Sequence, residues 1–288
     1  SCNRRGCKMI KGIIVLQSSA VVLMAQPTVT VKSLIDEEPR LYLRPPDTPD
    51  FARTVAQDRF DYVRQLTALH RYAAVMLNNT DKDVIAYAVS RRGEDTGGQQ
   101  VRVKGRVEAT FLNGIPGDQP ELPAHSAHVL IPGPRAAADP RVLQEQLAAF
   151  SRFRNLTVTL DAAVFSDGRA VGRDPDNWIP RWKAYLDVGR ELAALLAKPD
   201  QRVRSGLEEM VRAGVEAGAD RIGSEYLAPT YEDAFVAIRT RVARAELAQM
   251  DAIGDGEHLQ RLRSSARGKQ FPRVQRSGAI VPGGPPIR

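Results

Sequence analysis

Cysteine is nearly absent: Cys2 and Cys7 are the only two, and both fall within the first ten of 288 residues. If the N-terminus is removed, no disulfide framework, no cysteine-based zinc site and no cysteine nucleophile is left. Acidic residues are missing from both ends. Residues 1–25 hold Arg4, Arg5, Lys8 and Lys11 without an acid, and residues 258–288 hold seven cations without one. The body between them therefore carries −4 although the whole chain is +7. A mildly acidic body argues against nucleic acid as the partner. Also missing are a G-x-S-x-G elbow, a Walker loop, a G-x-G-x-x-G strand–helix junction and an H-E-x-x-H helix. Those gaps remove the positive reason to assign an enzyme.

What is present begins with an apolar run, Gly12–Ala25, that is 14 residues long, lacks charge and follows four cations. A basic flank, a short apolar core and a small residue at the end form an export signal. Cleavage after Ala25 leaves Gln26 at the mature start, with the rather large Leu23 at the −3 position. A retained anchor is the competing reading, because no charge appears over the 20 residues from Gly12 to Val31, about the length that crosses a bilayer. Gln17, Ser18, Ser19, Gln26 and Pro27 make that span a poor one. Arg4-Arg5 fits a twin-arginine signal weakly, and Met9 is an alternative start. No lipobox cysteine follows the run.

Hydrophobic residues at 43% and charged residues at 26% allow a sizeable core. The pattern pivots on Asn155–Gly172. Leu156, Val158, Leu160, Ala162 and Val164 alternate with Thr157, Thr159, Asp161, Ala163 and Phe165, the period of a strand with one buried face. Asp167-Gly168 predicts a hairpin directly after it. Ahead of this strand, the prolines at 45, 46 and 49 mark residues 26–68 as an extended lead-in with one short strand; Phe51, Val55, Phe60 and Val63 also allow a helix there. Tyr72–Leu77 and Val84–Val89 predict a hairpin-like pair across Asn78–Asp83. Val101–Phe111 alternates, with Arg102, Lys104, Arg106 and Glu108 outward, and Gly105 marks a bulge. Ala127–Ile131 is a further strand, and Ala136–Phe150 a helical insertion.

Beyond the hairpin the period changes to three and four. Asn177 or Asp176 is the expected cap of a helix carrying Trp182, Tyr185, Leu186, Leu192 and Leu196, which Pro199 ends. Val203–Val215 gives a second helix. Thr230 with Asp233 gives a capping box ahead of a third through Met250. From about Ser264, a Pro, Gly and Arg composition predicts a disordered basic tail.

Three segments, NNTDKDVIAY (78–87), LPAHS (122–126) and LDAAVFSDG (160–168), resemble a loose class of exported bacterial immunoglobulin-like modules over residues 69–177. The resemblance implies a sandwich fold and an exported setting, and carries no catalytic residue. The expected architecture is α+β: an antiparallel immunoglobulin-like β-sandwich at 69–177, then about three helices at 178–263, with a signal at 1–25 and a disordered tail at 264–288.

Candidate sites are few. His125 and His128 are the one histidine pair, but odd spacing on a strand sends the rings to opposite faces, so no metal is assigned. Asp167, Asp174, Asp176 and Asn177 form an oxygen-rich loop that turn formation and capping explain without calcium. Arg152 and Arg154 read as a solvated charge run. No catalytic, cofactor-binding or metal residue follows, and no cofactor. The leading expectation is an exported, non-catalytic protein that contacts a protein partner in the cell envelope. A hydrolase is the alternative, with Asp161, Asp174 or Glu191 between sandwich and helices. A third reading has the basic tail binding an anionic membrane surface.

Overall fold

The computed structural model describes residues 27–111, 117, 119–224 and 228–277. The export signal, at 1–25, lies outside the described residues; of the anchor alternative, Gly12–Val31, residues 27–31 are described, and Thr28–Val31 belong to a strand. No helix among the described residues is long and apolar enough to cross a membrane.

In chain order, the lead-in holds two strands, β1 (Thr28–Ser33) and β2 (Leu41–Arg44), and two short helices, α1 (Phe51–Gln57) and α2 (Asp61–Gln65). Then come β3 (Ala74–Asn78), β4 (Val84–Asp95), β5 (Gln100–Ala109), β6 (Ser126–Leu130) and α3 (Pro140–Ser151). The long strand β7 (Phe153–Phe165) turns into β8 (Arg169–Gly172). A helical run follows: α4 (Trp178–Leu196), α5 (Asp200–Glu216), α6 (Ala219–Ile222), α7 (Tyr231–Ile253) and α8 (Asp255–Ala266), with β9 (Gln275–Arg276) last.

Two sheets result. The main one runs β5-β4-β7-β8-β9, with β1 parallel to the first half of β7; the smaller is antiparallel, β2-β3-β6. They share one apolar core, in which Leu156, Val158 and Leu160 of β7 meet Leu41, Met76 and Leu130 of the smaller sheet. A second core lies between the main sheet and the helices, built on Trp182, Leu186, Leu192, Ile238 and Val242.

The immunoglobulin-like antiparallel sandwich with about three helices is therefore corrected. The main sheet is mixed, because β1 pairs parallel with β7 and β9 parallel with β8. Part of its second face is covered by helices, and the helices are more numerous than about three. The expected hairpin between the third and fourth strands does not form either. Both edges of β4 are taken, by β5 and by β7, so β3 goes to the other sheet. Asn78, fully buried, holds the corner: its Nδ2 donates to the carbonyls of Lys82 (2.8 Å) and Pro123 (3.0 Å), and its Oδ1 accepts from the Thr80 amide (3.1 Å). Residues 264–277 of the expected tail carry the end of α8 and β9, and residues 278–288 lie outside the described residues.

Other local signals hold. Gly168 (φ 88°) closes the β7–β8 hairpin through its amide on Phe165 O (2.9 Å), although Asp167 keeps a negative φ and the loop has three residues. The Thr230 hydroxyl accepts from the Asp233 amide at 3.1 Å, the forward half of a capping box, and donates to Asp233 Oδ2 at 2.8 Å. The bulge expected at Gly105 falls where Val89 pairs with Arg106 but Arg91 with Val103, one residue more on β5 than on β4.

Candidate functional site at the open half of the main sheet

A second bulge organises the site. Ala88 faces Ala162 and Val89 faces Leu160, so Asp161 is an extra residue in β7. Side-chain direction reverses there. Leu156, Val158 and Leu160 belong to the core with the smaller sheet, whereas Ala162 and Val164 belong to the core with the helices. The single apolar row read from the sequence is thus two half-rows on opposite faces, split at Asp161.

The helical layer covers only the half beyond that bulge. On the other half, Ser90, Thr157 and Thr159 are half-buried, while Thr30, Lys32, Arg92 and Arg102 are exposed. Register sets these in ranks. Arg102 stands opposite Arg92, Arg92 opposite Thr157 and Thr157 opposite Thr30; in the next rank Ser90, Thr159 and Lys32 are neighbours. The Thr30 and Thr157 hydroxyls are 3.0 Å apart.

At the seam sit three carboxylates. Asp161 is 2% exposed and takes a hydrogen bond from Ser90 Oγ at 3.1 Å. Burial pushes its pKa up to about 6; the Ser90 bond opposes this, Asp176 adds to it and Arg102 counters. Asp174 accepts from the amides of Trp178 (2.6 Å) and Ile179 (2.8 Å), so its side chain caps the first turn of α4. Its pKa is also raised by burial, against those two amides. Asp176 pairs with Arg102, and that pairing raises the guanidinium pKa. Asn177 holds the N-cap position, as expected, but its side chain makes no cap bond there. Asn177 instead donates to Pro229 O at 3.0 Å. Asp174 (φ 51°) and Asn177 (φ 59°) both adopt left-handed backbone, which Asp and Asn tolerate best. Gly172 (φ 100°) lies so close that an added Cβ would sit 2.4 Å from Asp161 O.

No known family, curated protein or solved structure matches the chain.

The seam brings together Asp161, Asp174 and Asp176, and leaves the other sequence candidates apart. Glu191 on α4 forms a bidentate pair with Arg239 of α7 (2.7 and 2.8 Å). His125, just before β6, meets Asp81 at 3.1 Å. His128, inside β6, meets Asp58 at 2.8 Å. Asp167 accepts from the Arg169 amide within its turn (3.0 Å). Arg154 pairs with Glu94, and Arg152 lies over the Phe153 ring. Among the described residues, no three His, Cys, Asp or Glu side chains are grouped to hold a metal ion.

Two clefts lie elsewhere. One, of about 410 Å³, is lined by Asp83, Phe111, Ser166, Leu186 and Lys269. The other, of about 450 Å³, is lined by Arg59, Phe60, Tyr62, Glu108 and Glu121. None of Asp161, Asp174, Asp176 or Glu191 lines either.

Sequence reasoning missed Ser90 and Arg92 because it ended their strand at Val89. The signal was present: Ser90, Arg92 and Glu94 continue a two-residue polar period, with Arg91 rather than an apolar residue on the buried side. Arg91 is 2% exposed, and its Nη2 donates to Leu130 O at 3.1 Å.

Proposed function

We propose that the protein is a non-catalytic binding protein of the cell envelope that engages a protein partner through the open half of its main sheet. The observation that carries this reading is the helical layer stopping at Asp161. It leaves a multi-stranded surface of hydroxyls and arginines, which suits recognition. The signal-like N-terminus supports the envelope setting.

Against a hydrolase stands the use already made of its carboxylates. Asp174 is spent on the first turn of α4, and Asp161 is buried under the seam, where it accepts a hydrogen bond from the Ser90 hydroxyl. Against a free basic tail stands the commitment of one of its cations. Arg276 sits in β9, and its Nη2 donates to Gly172 O at 3.3 Å.

The test is photocrosslinking in the native host with p-benzoylphenylalanine placed at Arg92, at Thr157 and, as control, at Arg212 on the exposed side of α5. One discrete adduct shared by the two sheet positions and missing from the α5 position is expected. No adduct from the sheet, or the same adducts from all three, contradicts the reading. N-terminal sequencing of the mature protein checks the setting: a full-length cytosolic product would end the envelope assignment.

A further inference from the structure

We propose that the outer edge of β5 accepts an extended acidic segment of a partner protein, which joins the main sheet as a further strand and sets its carboxylates against Arg102 and Arg92. This rests on the binding reading above and names the chemistry of the partner.

β5 is ten residues long and pairs with β4 alone; no strand occupies its other side among the described residues. A long open edge presents a row of amides and carbonyls that an incoming strand can pair. The charges decide which strand. Gln100–Val107 contains Arg102, Lys104 and Arg106 and no acid. Arg92 and Arg102 are direct cross-strand partners, an arrangement of like charges that costs stability. Asp176 answers Arg102 in a pair whose guanidinium stays open to solvent, so that a partner's carboxylate can compete for it. No acceptor among the described residues answers Arg92.

Such an edge disfavours a second copy of itself, because Arg102 would meet an equally basic edge. A neutral strand gains backbone bonds only. An acidic strand gains those bonds and relieves the opposed arginines, so the features that block self-pairing select it. An anionic glycan would satisfy the arginines and leave the edge amides unpaired, which makes it the weaker fit.

The experiment is selection of random dodecapeptides displayed on phage against the full chain. Recovered peptides should carry Asp or Glu at alternate positions and no central proline. Their binding should weaken at least about tenfold against an Arg92→Glu/Arg102→Glu double variant and stay unchanged against Arg212→Glu. Amide exchange of residues 100–109 should slow on binding. Circular dichroism checks that the double variant folds; if it does not, Arg92→Gln carries the comparison. The proposal falls if no peptide is recovered, if acids are not enriched, if the charge variants bind equally, or if protection appears on another edge. It also falls if dextran sulfate displaces the peptides and binds without protecting β5, because the surface then takes an anionic glycan. Crosslinks from Arg92 and Thr157 in the host together with failure here would leave the binding reading standing and remove only this inference.

Discussion

Beyond Asp161, β7 turns Ala162 and Val164 to the helices and Ala163 and Phe165 to the smaller sheet, all fully buried. Before it, Leu156, Val158 and Leu160 keep the shared core, while Thr157 and Thr159 face outward. One strand therefore serves as core at one end and as surface at the other. The inserted residue at the bulge makes the change possible, because it reverses side-chain direction without breaking the strand. Composition follows burial: small and apolar residues fill the two-sided half, and hydroxyl residues fill the outward positions of the other.

The largest expected effect sets the two halves directly against each other. Val164→Asp places an ionised carboxylate in a dry core and should cost on the order of 4–5 kcal/mol or unfold the chain. Thr157→Asp, on the outward side of the same strand, should cost under about 1 kcal/mol. Urea denaturation of both variants checks the difference. Equal losses would mean that the two halves are covered alike.

The seam supplies the next. A buried carboxyl whose pKa rises from 3.8 to about 6 favours the protonated form. Its favourable contribution is complete below about pH 4 and is lost as pH rises through 6, because the folded state holds more protons over that window. Asp161→Asn should therefore raise stability by about 2–3 kcal/mol at pH 7.5 and leave it nearly unchanged at pH 4. Asp58 is the contrasting case. Burial disfavours its charge as well, yet the bond and charge of His128 and the amides of Val129 and Phe60 outweigh it, so its pKa is lowered. Its contribution is present above about pH 4 and is lost as pH falls further, so Asp58→Asn should destabilise most at neutral pH. Thermal melts across pH 3–8 separate the two signs.

Gly172→Ala should cost about 2 kcal/mol, from a positive φ and the approach of Asp161 O. Arg92→Glu on the open half should change stability by less than about 0.5 kcal/mol. Chemical melts read both, and a large loss for Arg92→Glu would make that arginine part of the scaffold rather than of a binding face.

The sequence made the helices α4, α5 and α7 legible through apolar residues every third or fourth position. Thr230 marked one start, and Gly168 marked the hairpin. The fold class was not legible. Whether β3 pairs with β4 or leaves for another sheet depends on β5 and β7 having filled both edges of β4, which is a long-range fact. The parallel partners of β1 and β9 lie over a hundred residues away, and no local pattern points to them. Asp161 looked like one more outward residue, because alternation continues through a bulge and only the partner's register exposes it. Of the candidate site, Arg102, Thr157 and Thr159 were read as outward-facing. Ser90 and Arg92 were lost when their strand was cut short. The N-cap position at Asn177 was legible, but the side chain that takes the first-turn amides is Asp174, three residues earlier, because both residue types suit that role.

The central claim is that the helices shelter one half of β7 and leave the other open, and thiol accessibility tests it most directly. With Cys2 and Cys7 replaced by serine, single cysteines at Thr157, Thr159, Ala162 and Val164 can be treated with a charged maleimide under native conditions. Rapid labelling at 157 and 159, with labelling at 162 and 164 only after denaturation, is the expected result. Protection at 157 and 159 equal to that at 164 would contradict it.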